Sequence, residues 1–332
     1  MYRSILVPLD GSRLGEQALP TAIDFCKRTG AELHVIHVRV MAGLVPVLAA
    51  EAEWSADGER KYLEDVCEDV AQELGKSVTS EILPQDEPRL LLPSPPAHVV
   101  GERIVGYVTM HGVDLIVMTT HGRGGLSRAW FGSVTESILR LTAVPLFLVR
   151  PTSPEDWKAR AAEPIGHLLI ALDGSAQSEE VLEPARELGI ARGARCTLLR
   201  VIPVPFPAYD ATGVVTLSPS ADDIAQVRAG VEQELARVAQ RLRRDGVAEV
   251  AVETALDISP AGAILSFADE HEVDAIALTT HARGRVGRFV MGSVADKVIR
   301  GADCPVLVMR PATGAGEERQ STEDRSTVME TS

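Results

Sequence analysis

The segment Thr119-Thr-His-Gly-Arg-Gly-Gly-Leu-Ser-Arg-Ala-Trp-Phe-Gly-Ser133 returns in altered form as Thr279-Thr-His-Ala-Arg-Gly-Arg-Val-Gly-Arg-Phe-Val-Met-Gly-Ser293. Each copy follows an apolar, strand-like run and precedes a helix-like run, so a chain with this feature is one domain made twice. The pairs His121/His281, Gly132/Gly292 and Pro145/Pro305 share a spacing of 160 residues, whereas Asp10/Asp173 and Gly30/Gly193 share 163. A period this long suits two domains of ordinary size rather than a solenoid of short units. The change of spacing places a small length difference in the long connection after the second strand.

The repeat sets the expected boundaries. The first domain runs over 1–150 and the second over 164–310, with a polar, proline-bounded linker over 151–163 (Pro151-Thr-Ser-Pro-Glu-Asp-Trp-Lys-Ala-Arg-Ala-Ala-Glu163). Residues 311–332, rich in Gly, Glu, Arg, Ser and Thr, read as a disordered tail. Hydrophobic residues make up 45% of the chain, enough to fill two cores. A net charge of −14 opposes broad nucleic-acid binding, because it repels phosphate backbones. No apolar run is long enough to span a bilayer, and the start reads as a strand rather than a signal peptide. The four cysteines, Cys26, Cys67, Cys196 and Cys304, form no CxxC pair, so the expected setting is reduced and cytoplasmic.

Within the first repeat, strand and helix signals alternate. Apolar runs at Ser4–Leu9, Leu33–Val40, Val78–Leu83, Asp114–Met118 and Pro145–Val149 read as strands. Helical spacing covers Gly15–Arg28 (ended by Gly30), Arg60–Leu74, Arg103–His111 and Val134–Leu141. Five strands alternating with four helices give an α/β fold: two tandem doubly wound domains, each a five-stranded parallel sheet with helices on both faces. Such sheets bind ligands beyond the carboxyl ends of their strands, where the strand order reverses. Both repeated motifs sit at those ends. Asp10-Gly-Ser follows the first strand and the glycine loop follows the fourth, so adjacency of these two strands would put both motifs on one crevice.

The glycine loop has the chemistry of an anion site. Gly132-Ser133 opens a helix whose first amides lack intrahelical acceptors, and the helix dipole adds to their pull. Gly122, Gly124 and Gly125 allow close backbone approach, and Arg123 and Arg128 bring positive charge with no acid between His121 and Phe131. A plain turn with a capped helix is the competing reading, since Ser133-Val-Thr-Glu136 matches a capping box. In the second loop Ala282 stands where the first has Gly122, which weakens that copy. Asp10 and Asp173 suit either a ribose or adenine contact or an Asx turn. No GxxxxGK[ST], GxGxxG or GxSxG motif appears. His34 and His37 are an odd number of residues apart on a strand, so they face opposite ways and cannot chelate together.

These residues resemble the universal stress protein family, whose ATP-binding members carry Gly-x2-Gly-x9-Gly-Ser/Thr after the fourth strand and an early Val-x-x-Asp strand end. Gly122 and Gly132-Ser133 match the last three elements, while Thr119 stands at the first. In the second repeat Thr279 and Ala282 stand at the first two positions. The strand ends are Val7-Pro-Leu-Asp10 and Ile170-Ala-Leu-Asp173. The resemblance implies an adenine-nucleotide-alpha-hydrolase-like fold and ATP as ligand, with or without Mg²⁺. Asp10 would meet the adenine or ribose, and the Val38 backbone the adenine. Gly122, Arg123, Gly132, Ser133 and Val134 would hold phosphates. The matching set in the second repeat is Asp173, Val201, Gly292, Ser293 and Val294.

The resemblance further implies pairing through the last strands, Val144–Val149 and Cys304–Met309, within one molecule or in a homodimer. Burial of those edges would remove an aggregation hazard. The expected role is a nucleotide-dependent stress regulator with an unknown protein partner, no nucleic acid and no membrane contact. No residue set supports fast chemistry, so any ATP hydrolysis would be slow. The alternative is a non-nucleotide interaction or small-molecule-binding protein, using the variable segments 43–57 and 205–221. The proline-laden stretch 83–97, without counterpart in the second repeat, reads as a lid, an extended partner ligand or a plain loop.

Overall fold

The computed structural model describes residues 1–38, 56–83, 97–120, 132–151, 158, 164–203, 220–280 and 291–312. Contacts divide the chain into two compact units. The first holds 1–164 and 305–310, the second 165–304 and the segment from 311 onward.

In the first unit the strands are β1 (Ser4–Leu9), β2 (Glu32–Val38), β3 (Thr79–Leu83), β4 (Leu115–Thr119) and β5 (Leu146–Val149), in the order β3-β2-β1-β4-β5. All four neighbouring pairs are parallel. The order turns back between β1 and β4, which is where such a sheet opens a crevice at its carboxyl edge. Burial on both faces explains the near-continuous apolar strands: β4 is buried throughout and β1 at five of its six residues. The amino ends of β1 and β4 are tied by one carboxylate. Asp114 accepts from the Arg3 amide at 2.8 Å and from the Ser4 amide at 3.2 Å.

The helices are α1 (Arg13–Glu16), α2 (Leu19–Thr29), α3 (Ala56–Leu74), α4 (Ala97–His111) and α5 (Ser133–Leu141). The sequence pattern reads α1 and α2 as one helix. The structure breaks it at Gln17–Ala18, because Ser12 caps the short α1 and Pro20, lacking an N–H, opens a new first turn. Gly30 ends α2 in the left-handed region, as the pattern requires. Leu63, Val66, Cys67 and Val70 form the buried stripe of α3. Phe25 of α2 meets Phe147 of β5 edge to face at 5.1 Å between centroids, and both are fully enclosed.

The second unit carries β6 (His167–Ala171), β7 (Arg195–Pro203), β8 (Val250–Asp257) and β9 (Ala275–Thr279), parallel, in the order β9-β6-β7-β8. Its helices are α6 (Ala176–Glu179), α7 (Leu182–Arg192), α8 (Ala221–Arg244), α9 (Pro260–Glu270) and α10 (Ser293–Gly301). Asp274 repeats the tie made by Asp114, accepting from the Gly166 and His167 amides, each at 2.8 Å. The last strand, β10 (Val306–Met309), packs within the first unit. It runs antiparallel to β5, with Val306, Leu307 and Val308 opposite Leu148, Phe147 and Leu146. Arg310, just past β10, donates to the Arg140 carbonyl in the last turn of α5 at 2.8 Å. Among the described residues no helix is long and apolar enough to cross a membrane.

Candidate functional site

β1 pairs with β4, and β6 with β9, so in each unit the two repeated motifs stand at neighbouring strand ends. The carboxyl edge of β1 turns at Asp10-Gly-Ser. Asp10 Oδ1 accepts from the Ser12 amide at 2.9 Å and its hydroxyl at 2.6 Å, and Ser12 Oγ accepts from the Gly15 amide at 3.0 Å. The second unit repeats this network. Asp173 Oδ1 accepts from the Ser175 amide and hydroxyl at 2.9 and 2.6 Å, and Ser175 Oγ from the Ser178 amide at 3.1 Å. Gly11 and Gly174 take φ of 80° and 89°, a region closed to most side chains. Both aspartates therefore make Asx turns through Oδ1, the plainer of the two roles open to them.

The helix that follows the glycine loop begins at Gly132, the N-cap of α5, with φ −61° and ψ 133° and no side-chain cap. Ser133 is the first helical residue and exposed, so the capping box suggested by Ser133-Val-Thr-Glu136 does not form. Its serine falls one position too late to act as N-cap. α10 repeats the arrangement: Gly292 is the N-cap at φ −60° and ψ 139°, again without a side-chain cap. α2 and α7, which follow directly on α1 and α6, also lack a side-chain cap, opening on Ala18 and Val181, whereas α1, α6, α8 and α9 open on Ser12, Ser175, Ser220 and Ser259, each accepting from a first-turn amide. A Cβ on Gly132 would lie 3.3 Å from the Thr120 carbonyl oxygen, so the start of α5 rests against the end of β4. Val134 and Val294 are half-buried. Val38 is buried and Val201 half-buried at the ends of β2 and β7. Gly122, Arg123 and Ala282 lie outside the described residues, as do 84–96 and nearly all of the two variable segments.

Beside the turn in the first unit stands a buried polar set that the sequence motifs did not single out. His37, at the end of β2, has Nδ1 3.1 Å from the Leu9 carbonyl. A carbonyl only accepts, so that nitrogen carries the proton. Its Nε2 lies 3.9 Å from Glu59 Oε1, and both side chains are buried. Tyr62 donates to Glu16 Oε1 at 2.8 Å, and burial, with Glu16 beside it, pushes its phenol well above the usual range. His34, on the other face, meets Tyr107 of α4 with Nδ1 at 2.9 Å from the phenol oxygen, so the two histidines do face opposite ways.

In the second unit the residue matching His37 is Arg200, since the two stand 163 residues apart. Its Nη1 reaches Glu234 Oε2 at 2.6 Å. The one signal available beforehand was this spacing, which sets an arginine between the apolar pairs Leu198-Leu199 and Val201-Ile202 of β7.

Thiol chemistry finds no support at three of the cysteines. Burial pushes Cys26 and Cys196 up to about 12 and Cys67 up to about 11, so all stay protonated. Among the described residues no group of three or more His, Cys, Asp or Glu could hold a metal ion.

A doubly wound unit built twice along one chain, each copy with a glycine-opened helix after its fourth strand, defines a tandem α/β protein. The chain belongs to the universal stress protein family, whose model matches residues 1–150 and again 164–310. It is 30% identical over 161 residues to a universal stress protein of Methanocaldococcus jannaschii, a match spanning 47% of this chain and 86% of that protein. A universal stress protein of Mycolicibacterium smegmatis is 24% identical over 318 residues, covering 92% of this chain and 97% of the relative, so the tandem arrangement is shared. The crystal structure of a putative universal stress protein from Pseudomonas aeruginosa matches with a TM-score of 0.61 at 17% identity, over 93% of this chain and 94% of that one, which supports the fold.

Proposed function

We propose that the protein binds an adenine nucleotide, ATP, in the first unit and acts as a nucleotide-dependent regulator in a stress response. The observation that carries the reading is the pair of helix starts. α5 and α10 open on glycine without a side-chain cap, at the strand ends where the sheet order reverses. Their first-turn amides need acceptors, and a phosphate supplies them. Gly132, Ser133 and Val134 would hold the phosphates, with Gly122 and Arg123 of the preceding loop. Asp10 and the Val38 backbone would meet the nucleoside. The corresponding set in the second unit is Asp173, Val201, Gly292, Ser293 and Val294. Mg²⁺ would arrive on the phosphates rather than in a protein-built centre. In this role the protein changes partner affinity with nucleotide occupancy and turns ATP over slowly at most.

Denaturing the purified protein and examining the supernatant by absorbance and mass spectrometry is expected to show released adenine nucleotide. Calorimetry with ATP is expected to show a first-unit binding component that Gly132→Asp removes. Unchanged affinity in that variant would reject the first-unit site.

A further inference from the structure

At the carboxyl ends of their strands the two units share the same Asx-turn main chain but differ in the side chain beside it. In the first unit the β2 position holds an imidazole against a buried carboxylate, His37 and Glu59. In the second the equivalent β7 position holds a guanidinium. The Arg200 side chain is only 11% exposed, while its counterion Glu234 is 57% exposed. A partner so far into solvent compensates a buried cation weakly. Arg200 Nε is buried without a hydrogen-bond partner, and Glu234 supplies the arginine's one polar contact among the described residues. A guanidinium has five donors, and shielded donors left unpaired are costly.

The place of this group is as informative as its charge. The guanidinium lies on the Asp173–Gly174 turn: a Cβ on Gly174 would stand 2.9 Å from both Cζ and Nη1. The second unit runs β9, β6, β7 in order, so the end of β7 is two strand spacings, roughly 10 Å, from the end of β9, the strand that precedes α10 in the chain. A nucleotide whose 5′ phosphate sits on α10 therefore brings its nucleoside, not its phosphate, to Arg200. The group that would complement a second, distant cation is an anion on the sugar.

We propose that Arg200 makes the second crevice selective for nucleotides that carry a phosphate on the ribose as well as at the 5′ position. This rests on the nucleotide reading of the fold. In the first unit the equivalent side chain is an imidazole beside the buried Glu59 carboxylate, which disfavours such a ligand. Arg200 is thus a specificity-determining residue, and the tandem chain reads two different nucleotide classes.

The test uses the full-length chain carrying Gly132→Asp, so that the second unit is read alone, with adenosine 5′-monophosphate and adenosine 3′,5′-bisphosphate as probes in calorimetry. One charge-assisted contact corresponds to a preference of about 10-fold or more for the bisphosphate. Arg200→Gln is expected to bring the ratio to about one by weakening the bisphosphate far more than the monophosphate, which sets no anion against the guanidinium. Glu234→Gln, a change at an exposed side chain, is expected to widen the preference by removing the competing negative charge. A ratio near one in the parent, a ratio that survives Arg200→Gln, or a preference unmoved or reduced by Glu234→Gln overturns the inference while leaving nucleotide binding in place. Binding of ATP to the unmutated chain but of neither probe to the Gly132→Asp chain removes the second site and this inference with it. No nucleotide binding by the unmutated chain removes both readings.

Discussion

Gly132→Asp separates the ligand role of the α5 N-terminus from a structural one, because the two predict opposite signs. The backbone at 132 has φ −61° and ψ 133°, the extended geometry of an N-cap that any residue adopts. An aspartate there can accept from the first-turn amides, and its charge faces the positive end of the helix. Against glycine the gain is about 0.3–1 kcal/mol. The new Cβ would lie 3.3 Å from the Thr120 carbonyl oxygen and 3.4 Å from Thr135 Oγ1, tight enough to consume part of that gain. The ligand-free protein is therefore expected to melt at an unchanged temperature or about 1–3 °C higher.

Nucleotide binding moves the other way. The carboxylate takes the amides that a phosphate would use and leaves two negative charges about 4 Å apart, worth about 4 kcal/mol at an effective dielectric near 20. Salt and rearrangement reduce this, so the expected loss is at least about 100-fold in affinity. Gly132→Asn supplies the cap without the charge and is expected to lose only about 10-fold. Thermal melts without nucleotide, paired with calorimetry on the same samples, read both quantities. A clear loss of stability in Gly132→Asp, or retained affinity, would refute the argument that these amides await an anion.

Three further outcomes follow from the packing. Gly174→Ala should cost more than Gly193→Ala in urea unfolding. Both glycines have positive φ, worth about 1–2 kcal/mol, but a methyl at 193 meets open space while one at 174 displaces Arg200; equal costs would contradict the Arg200 placement. Phe147→Ala should destabilise the first unit by about 3–5 kcal/mol, since the ring is fully buried against Phe25 and stands opposite Leu307 of β10. His34 and His167 both have lowered pKa values, chiefly from burial, with His111 and Arg195 respectively adding repulsion. Their neutral forms are favoured in the fold, so the unfolded chain binds more protons below its ordinary imidazole value. Stability is then present above about pH 6.5 and falls as pH drops below it. Chemical denaturation between pH 7.5 and 5.5 should show the decline, and His34→Gln should flatten it.

The fold was legible because main-chain signals carry it. Alternating apolar runs, the glycine that ends α2, and the two Asp-Gly-Ser turns are local, and each has one conformational meaning. The break between α1 and α2 was not, although Pro20 and Ser12 were both in view, because the apolar spacing runs through the break. Ser133 shows the limit of a motif. The capping-box letters are present, but whether a serine caps depends on where the helix begins, and β4 with the Thr120 carbonyl sets that point at Gly132. The His37–Glu59 and Glu16–Tyr62 contacts join residues far apart in sequence, so no local pattern announces them.

Arg200 stands between these cases. Its partner on α8 was invisible to sequence, yet its equivalence to His37 follows from the repeat spacing alone. That comparison is where a doubled chain says more than a single domain can. Duplication holds constant whatever the main chain needs: the Asx turns, the uncapped helix starts, the carboxylates at 114 and 274 that tie two strands. What differs at matched positions is then released from the demands of the fold, or answers to a different demand. A buried histidine exchanged for a buried arginine is not a neutral drift of surface residues, because a permanently charged group at an 11% exposed side-chain position must be compensated. Glu234, reaching in from solvent, does so only in part, and the remainder of that compensation is what a second anionic group on the ligand would provide.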